Sequence, residues 1–396
     1  MRVAFLTAGG LAPCLSSSIA YLIQEYSKLD IEIDFFAYQN GYKGLLLGDV
    51  ISIPNSVKDK VEILASYGGS AIGNSRVKLT NIEDCIKNGY IKNKETPLGV
   101  AAEQLKKDKI DILHTIGGDD TNTSAGDLVQ FLKENNYNFT VVGLPKTVDN
   151  DVYPINQTLG AATAANQGAI FFNNIVNENT TSSRQLIIHE VMGRNCGWLT
   201  AATAYEYRKL LNKKKFIPEL LIDKQKWDIH AIYLPEKEIN FEKECIRLNE
   251  IMNSHDCVNI FLSEGAGLSA IIKEMESNGE EIKYDAFGHV RLDEINPGLW
   301  FAKNLKEKLK ADKVLVQKSG YFSRSAAPNL DDVDLIQKTA KLAVQSALKN
   351  KSGVIGQDED NGNQMTCIEF DRIKGGKPFD LGLDWFKNML EDIKQK

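Results

Sequence analysis

Val141-Val142-Gly143-Leu144-Pro145-Lys146-Thr147-Val148-Asp149-Asn150-Asp151 joins a short β-branched apolar run to a cation, a hydroxyl and two carboxylates. An apolar run of this kind, bounded by Gly and Pro, reads as a buried strand. In open α/β sheets ligands bind in the crevice beyond the carboxyl ends of such strands. Lys146, Thr147, Asp149 and Asp151 are therefore expected where chemistry takes place, although taken alone the segment is equally a polar strand-exit loop.

Two other predicted strand ends share this design. Residues 2–7 read as a strand and are followed by Ala8-Gly9-Gly10 and a helical pattern over 16–29. Residues 110–116 read as the next strand, ending in Gly117-Gly118-Asp119-Asp120-Thr121, with a helix through 132. Glycines let the backbone approach phosphate oxygens closely, and a helix N-terminus favours anions. Further strands are expected at 31–37, 186–191, 229–234, 258–262 and 313–317, with helices at 96–107, 160–177, 241–253, 299–309 and 332–348. This alternation of strand and helix argues an α/β fold with mostly parallel sheets. The stretch 41–45 reads as a turn and 208–227, with Lys213-Lys214-Lys215, as a surface excursion.

A chain of 396 residues is long for one core, so two domains are expected. With 43% apolar and 25% charged residues and a net charge of −6, it lacks the basic character of a nucleic-acid or anionic-membrane partner. The N-terminal residues do not form a signal-peptide pattern, and no apolar run reaches the roughly 18 residues of a membrane helix. Cys14, Cys85, Cys196, Cys245, Cys257 and Cys367 are scattered, without a C-x-x-C pair, and read as reduced thiols of a cytoplasmic protein. Five histidines without ligand spacing argue against structural zinc, while a hard cation such as Mg²⁺ remains open. The chain has no G-x-x-x-x-G-K-[ST] and no G-x-G-x-x-G, which disfavours a P-loop protein and a standard dinucleotide fold.

Gly117-Gly118-Asp119-Asp120-Thr121, Pro145-Lys146-Thr147-Val148-Asp149-Asn150-Asp151, Met192-Gly193-Arg194-Asn195-Cys196-Gly197 and Ser263-Glu264-Gly265 together resemble, in order, the signatures of the 6-phosphofructokinase family. The resemblance runs from the first strand to about residue 345 and implies two Rossmann-like three-layer domains. Asp120 and Lys146 stand where ATP-using members carry glycine, which is similar to the pyrophosphate-dependent type. Charge supports that reading. Two like charges about 4 Å apart at an effective dielectric near 20 repel by roughly 4 kcal/mol, so the Asp120 carboxylate disfavours the α-phosphate of ATP. Lys146 adds a cation where charge gathers on a leaving phosphate.

The resemblance implies phosphorylation of fructose 6-phosphate by pyrophosphate, reversibly, in glycolysis and gluconeogenesis. It assigns Asp149 as the base, with Asp120 and Lys146 in the catalytic set, Asp119 as the Mg²⁺-associated carboxylate, and Gly9, Gly10 and Arg76 as donor ligands. Thr147, Val148, Met192, Gly193, Arg194 and Glu264 are implied sugar-phosphate contacts. Tyr321-Phe322-Ser323-Arg324 resembles a Tyr-x-x-Arg element for the 6-phosphate, which brings in Tyr321 and Arg324. His289 matches a family Gly-His, but Val290-Arg291-Leu292 departs from the Ile-Gln-Arg that follows in bacterial ATP enzymes. In oligomeric relatives a neighbour donates arginines; Lys283 occupies one such position and Arg184 lies one residue from the other, so a homodimer or homotetramer is expected. The expected division is a donor domain of 1–160 plus about 292–345, and a fructose 6-phosphate domain of 161–291 plus about 346–396. An ATP-dependent phosphofructokinase and a non-catalytic sugar-phosphate-binding regulatory subunit are the alternatives.

Overall fold

The computed structural model describes residues 1–137, 139–283 and 295–395. The chain forms two compact units, residues 1–163 with 324–377, and residues 164–323 with 378–396. Each is built on its own sheet.

The first unit carries seven strands: β1 (Arg2–Thr7), β2 (Asp34–Tyr38), β3 (Val50–Ile53), β4 (Ile112–Gly117), β5 (Thr140–Pro145), β10 (Gly353–Asp358) and β11 (Gln364–Ile368). Their spatial order is β11-β10-β5-β4-β1-β2-β3, parallel except for the two antiparallel edge strands. β4 and β5 are buried at every residue, as near-continuous apolar runs are in a parallel sheet covered on both faces. Val141, Val142 and Leu144 have no exposed surface, and each contributes about 1.5–3 kcal/mol by its burial. On one face Leu6, Tyr38, Tyr42, Leu105, Leu113 and Leu128 form the core. The helices Leu15–Tyr26 and Leu330–Leu348 pack together. His114 lies in the middle of β4, bonded to the Tyr26 hydroxyl at 2.8 Å; burial pushes its pKa down to about 3 and keeps it a neutral core residue.

The second unit has four parallel strands: β6 (Gln185–Val191), β7 (Ala231–Tyr233), β8 (Cys257–Ser263) and β9 (Lys313–Lys318), ordered β7-β8-β6-β9. Leu186, Ile188, Val258, Ile260, Leu262, Phe301 and Leu305 fill one face. The short edge strand β7 is covered from outside. The Gln395 amide accepts from Ile232 N at 2.8 Å and donates to Ile232 O at 3.0 Å, satisfying groups that would otherwise be left open at a sheet edge.

Two expected boundaries need correction. Residues 295–323 belong to the second unit because β9 pairs with β6, and residues 346–377 belong to the first because β10 pairs with β5. The expected turn at 41–45 is the start of a helix, Tyr42–Leu47, whose Tyr42 hydroxyl reaches Thr121 O at 2.8 Å. The excursion at 208–227 is only partly irregular. The helix Trp198–Asn212 runs into it, and an Ile217–Ile222 bridge closes a loop that exposes Leu220 and Leu221. The described cysteines are all free and buried, and among the described residues no helix is long and apolar enough to cross a membrane.

Candidate active site

In the first unit the chain leaves β1 toward β2 on one side, while β4 lies on the other. The carboxyl ends of β1 and β4 therefore flank a topological switch point, the usual ligand crevice of such sheets. Register brings the predicted residues to it. Thr7 pairs with Ile116 and Gly117 with Pro145, so Gly9-Gly10, Gly118-Asp119 and Lys146 leave adjacent strands at one level. Lys146 N donates to Gly117 O at 2.8 Å and locks two of these exits together.

Lys146 is the deepest of the group. Only 2% of its surface is exposed, and its Nζ donates to Gly10 O at 2.5 Å. Burial lowers its pKa from 10.5 to about 8; the Arg76 guanidinium also lowers it, while Cys14, Asp119 and Asp149 oppose the fall. The ammonium thus lies beneath the diglycine turn rather than in solvent. Gly9 has φ +88°, and a Cβ there would meet Lys146 Nζ at 3.2 Å, so both conformation and space call for glycine.

Asp119 and Asp120 open the helix Asp119–Glu134, where carboxylates complement the macrodipole. The Asn122 side chain braces the turn by donating to Gly117 O and Gly118 O. The Asp119 carboxylate presses against the backbone at Gly375, where a Cβ would come within 1.9 Å of Oδ2. Asp120 points outward, half exposed, and pairs with Lys78 at 2.7 Å.

The loop after β5 is fixed from within. Thr147 Oγ1 accepts from Asp149 N at 3.1 Å and donates to Asp151 Oδ1 at 3.2 Å. Asn150, at φ +54°, accepts from Thr158 N and Thr158 Oγ1 and donates to Asn156 O. Asparagine tolerates this left-handed conformation better than most residues. Val148 is buried. Asp151 is pushed above the usual carboxylate range by burial and by the Asp119 carboxylate. At the end of the loop the buried Asp332 accepts from Gly160 N, Thr163 N and Thr163 Oγ1.

The donor set fits a hard divalent cation. Among the described residues no cluster of three or more metal-ligating side chains exists, yet Asp119 and Asp151 lie within electrostatic reach of each other. One or two carboxylates combined with substrate phosphate oxygens is the usual way such an ion is held.

In the second unit Met192, Gly193, Glu264 and Tyr321 all follow the carboxyl ends of neighbouring strands β6, β8 and β9. Glu264 N donates to Val191 O at 2.9 Å, and Ser263 Oγ to Gly193 O at 2.5 Å. Gly193 N approaches Glu264 Oε1 at 3.4 Å. Gly193 has φ +128°, and a Cβ there would meet Cys196 O at 2.4 Å. Gly265 fits so tightly that a Cβ would overlap Arg194 O. Glu264 is raised above the usual carboxylate range by burial, with Glu190 adding to the shift and the Gly193 amide, Arg194 and Lys318 opposing it. Tyr321 and Lys283 are exposed, and Arg324 is half-buried at the end of the short helix Gly320–Arg324.

Arg76 is exposed on the loop bridged to β1, because Gly9 N donates to Ser75 O at 2.8 Å. Arg184 does not present its guanidinium to an anion. Nε, Nη1 and Nη2 donate to Lys310 O, Asn253 Oδ1 and Leu309 O, closing the C-terminus of the helix Pro297–Leu309. His289 and Val290-Arg291-Leu292 lie outside the described residues. Asn74, Lys78, Asn122, Asn150, Thr158 and Asp332 support the site without having been expected from sequence. Of these only Asn150 carried a signal, as an Asx residue inside a turn motif.

The phosphofructokinase family model matches residues 2–346. A pyrophosphate–fructose 6-phosphate 1-phosphotransferase of Methylomonas methanica is 58% identical, covering 100% of this chain and 96% of the relative. One from Mastigamoeba balamuthi is 51% identical over 99% and 96%. The crystal structure of a pyrophosphate-dependent phosphofructokinase from Marinobacter aquaeolei superimposes with a TM-score of 0.71 at 22% identity, covering 99% of this chain and 91% of that one. The chain belongs to the phosphofructokinase family.

Proposed function

We propose that the protein transfers a phosphoryl group between pyrophosphate and the 1-hydroxyl of fructose 6-phosphate, yielding fructose 1,6-bisphosphate and orthophosphate, in either direction. The observation that carries the donor assignment is Lys146, a buried ammonium under the diglycine turn and within electrostatic reach of Asp119 and Asp149. A desolvated cation is a strong partner for a compact polyanion that has no nucleoside to anchor it. The Asp120 side chain, where ATP-using members carry glycine, supports the same reading by occupying that position, its charge balanced by Lys78.

Phosphoryl transfer is governed by alignment and charge stabilisation. In our reading the Asp149 carboxylate takes the proton of the 1-hydroxyl as its oxygen bonds to the transferred phosphorus. The bridging P–O bond breaks and orthophosphate departs, its charge facing the Lys146 ammonium. The Gly10 amide, with Gly9 shaping the turn beside it, and Arg76 hold the donor. Thr147, Val148, Met192, Gly193, Arg194 and Glu264 hold the sugar phosphate, with Tyr321, Arg324 and Lys283 at the 6-phosphate. Family enzymes require a divalent metal; Mg²⁺, bound with the phosphates, would supply charge neutralisation, and Asp119 is the residue that would hold it, with Asp151 nearby. A cytoplasmic homo-oligomer is the setting this chemistry fits.

Fructose 1,6-bisphosphate formation measured with pyrophosphate and with ATP, and the reverse reaction with orthophosphate, tests the proposal. Preference for ATP at saturating Mg²⁺ overturns the donor assignment.

A further inference from the structure

The Gly9-Gly10 turn has two carbonyls, and a side chain holds each. Asn74 Nδ2 donates to Gly9 O at 2.7 Å, and Lys146 Nζ donates to Gly10 O. In a trans peptide the C=O and N–H point in opposite directions. Fixing these carbonyls therefore turns the next two N–H groups, those of Gly10 and Leu11, away from Asn74 and Lys146. Neither N–H makes a hydrogen bond within the described residues, and the space beside Gly10 is open, with nothing within 4 Å of where a Cβ would stand. Two successive free amides on a turn form a concavity suited to an anion.

We infer that Asn74 is a positioning residue for the phosphoryl donor, holding the Gly9–Gly10 peptide so that the amides of Gly10 and Leu11 face pyrophosphate. A glycine pair is soft, because both residues tolerate positive and negative φ. Without the Asn74 latch the Gly9–Gly10 peptide is free to rotate and present a carbonyl oxygen to the anion, replacing attraction by repulsion. The Asn74 loop is placed for this task by Gly9 N donating to Ser75 O, and by Ser75 Oγ donating to Asn40 O at 2.6 Å. Lys146 supplies the second latch and the charge; Asn74 supplies geometry alone.

The inference rests on the pyrophosphate reading, and its test separates the two. The probes are Mg²⁺-pyrophosphate and its non-hydrolysable methylene analogue, titrated calorimetrically into the full-length protein, with fructose 6-phosphate titrated as the control. Asn74→Leu and Asn74→Asp are expected to weaken both diphosphates about tenfold to a hundredfold, with fructose 6-phosphate affinity unchanged. Protonation gives the aspartic acid an O–H that can again donate to Gly9 O. The deficit of Asn74→Asp relative to wild type should therefore shrink as pH falls from 8 to about 4, where an ordinary carboxyl takes up its proton, while that of Asn74→Leu stays constant. Diphosphate affinity equal to wild type in both variants, or a pH-independent deficit in Asn74→Asp, overturns the role of Asn74. A wild-type protein that binds fructose 6-phosphate but neither diphosphate overturns the donor reading itself.

Discussion

Replacing Lys146 by methionine should make the protein more stable and far less active. The fall of the Lys146 pKa from 10.5 to about 8 corresponds, at about 1.4 kcal/mol per pH unit, to roughly 3 kcal/mol of penalty for keeping the ammonium buried. Below pH 8 the ammonium is present in the folded and the unfolded chain, and the folded state bears the full penalty. Between pH 8 and 10.5 the unfolded chain binds more protons, stability rises with pH and the penalty fades; above 10.5 it is gone. Methionine has a similar unbranched shape and no charge. The Gly10 carbonyl loses a donor, at a cost of about 1 kcal/mol where water can take its place. A net gain of about 2 kcal/mol is expected at pH 7, or roughly 4–8 °C in the unfolding midpoint of a unit of this size. The assay is thermal unfolding of wild type and Lys146→Met without substrates at pH 7, 9 and 10.5, beside steady-state kinetics with pyrophosphate. The stability gain should vanish by pH 10.5, and kcat/KM for pyrophosphate should fall by roughly 10²–10³. A variant less stable than wild type at pH 7, or equally stabilised at every pH, refutes the reasoning.

The same lysine sets a pH limit: in wild type kcat/KM for pyrophosphate should decline above about pH 8 as the ammonium loses its proton, while fructose 6-phosphate binding does not follow that titration. A flat pyrophosphate profile between pH 7 and 9.5 contradicts this. Asp149→Asn keeps the loop, which is fixed through Thr147 and Asn150, and should lower kcat by about 10²–10⁴ while fructose 6-phosphate still binds by calorimetry. Gly193→Ala forces a side chain into φ +128° and toward Cys196 O, so KM for fructose 6-phosphate should rise at least about tenfold with pyrophosphate affinity unchanged, as read from separate titrations.

Much of this architecture could be read from the chain because apolar strands ended in glycine and carboxylate. β4 and β8 end in both, β1 and β6 in glycine and β5 in a carboxylate-bearing loop, and all five lie at or near their expected positions. β3, β10 and β11 did not stand out. β3 is a half-exposed edge, and β10, Gly-Val-Ile-Gly-Gln-Asp, has a short apolar core between glycines. β9 was recognised as a strand, but its sheet was not, since pairing over long separations leaves no local pattern. The site divides in the same way. Residues that face the crevice lie in compact motifs, whereas Asn74, Asp332 and Thr158 act through bonds to distant backbone, which depend on the fold. Arg184, one residue from an expected anion ligand, shows how a guanidinium can instead be taken up within its own unit, by two helix-terminal carbonyls and the Asn253 side chain.

The strand β10 joins β5 about 200 residues after β5 has ended. Until β10 leaves the ribosome, the Val141-Val142-Gly143-Leu144 segment has one unpaired edge, β-branched and without charge, of the kind that recruits strands from other chains. The family-matched stretch ends at residue 346, before β10 begins. A chain cut there would keep every predicted site residue and lose the strand that seals the one carrying Lys146, so it should aggregate rather than fold. The segment after residue 346 is thus what makes β5, the strand that leads into Lys146, safe to synthesise.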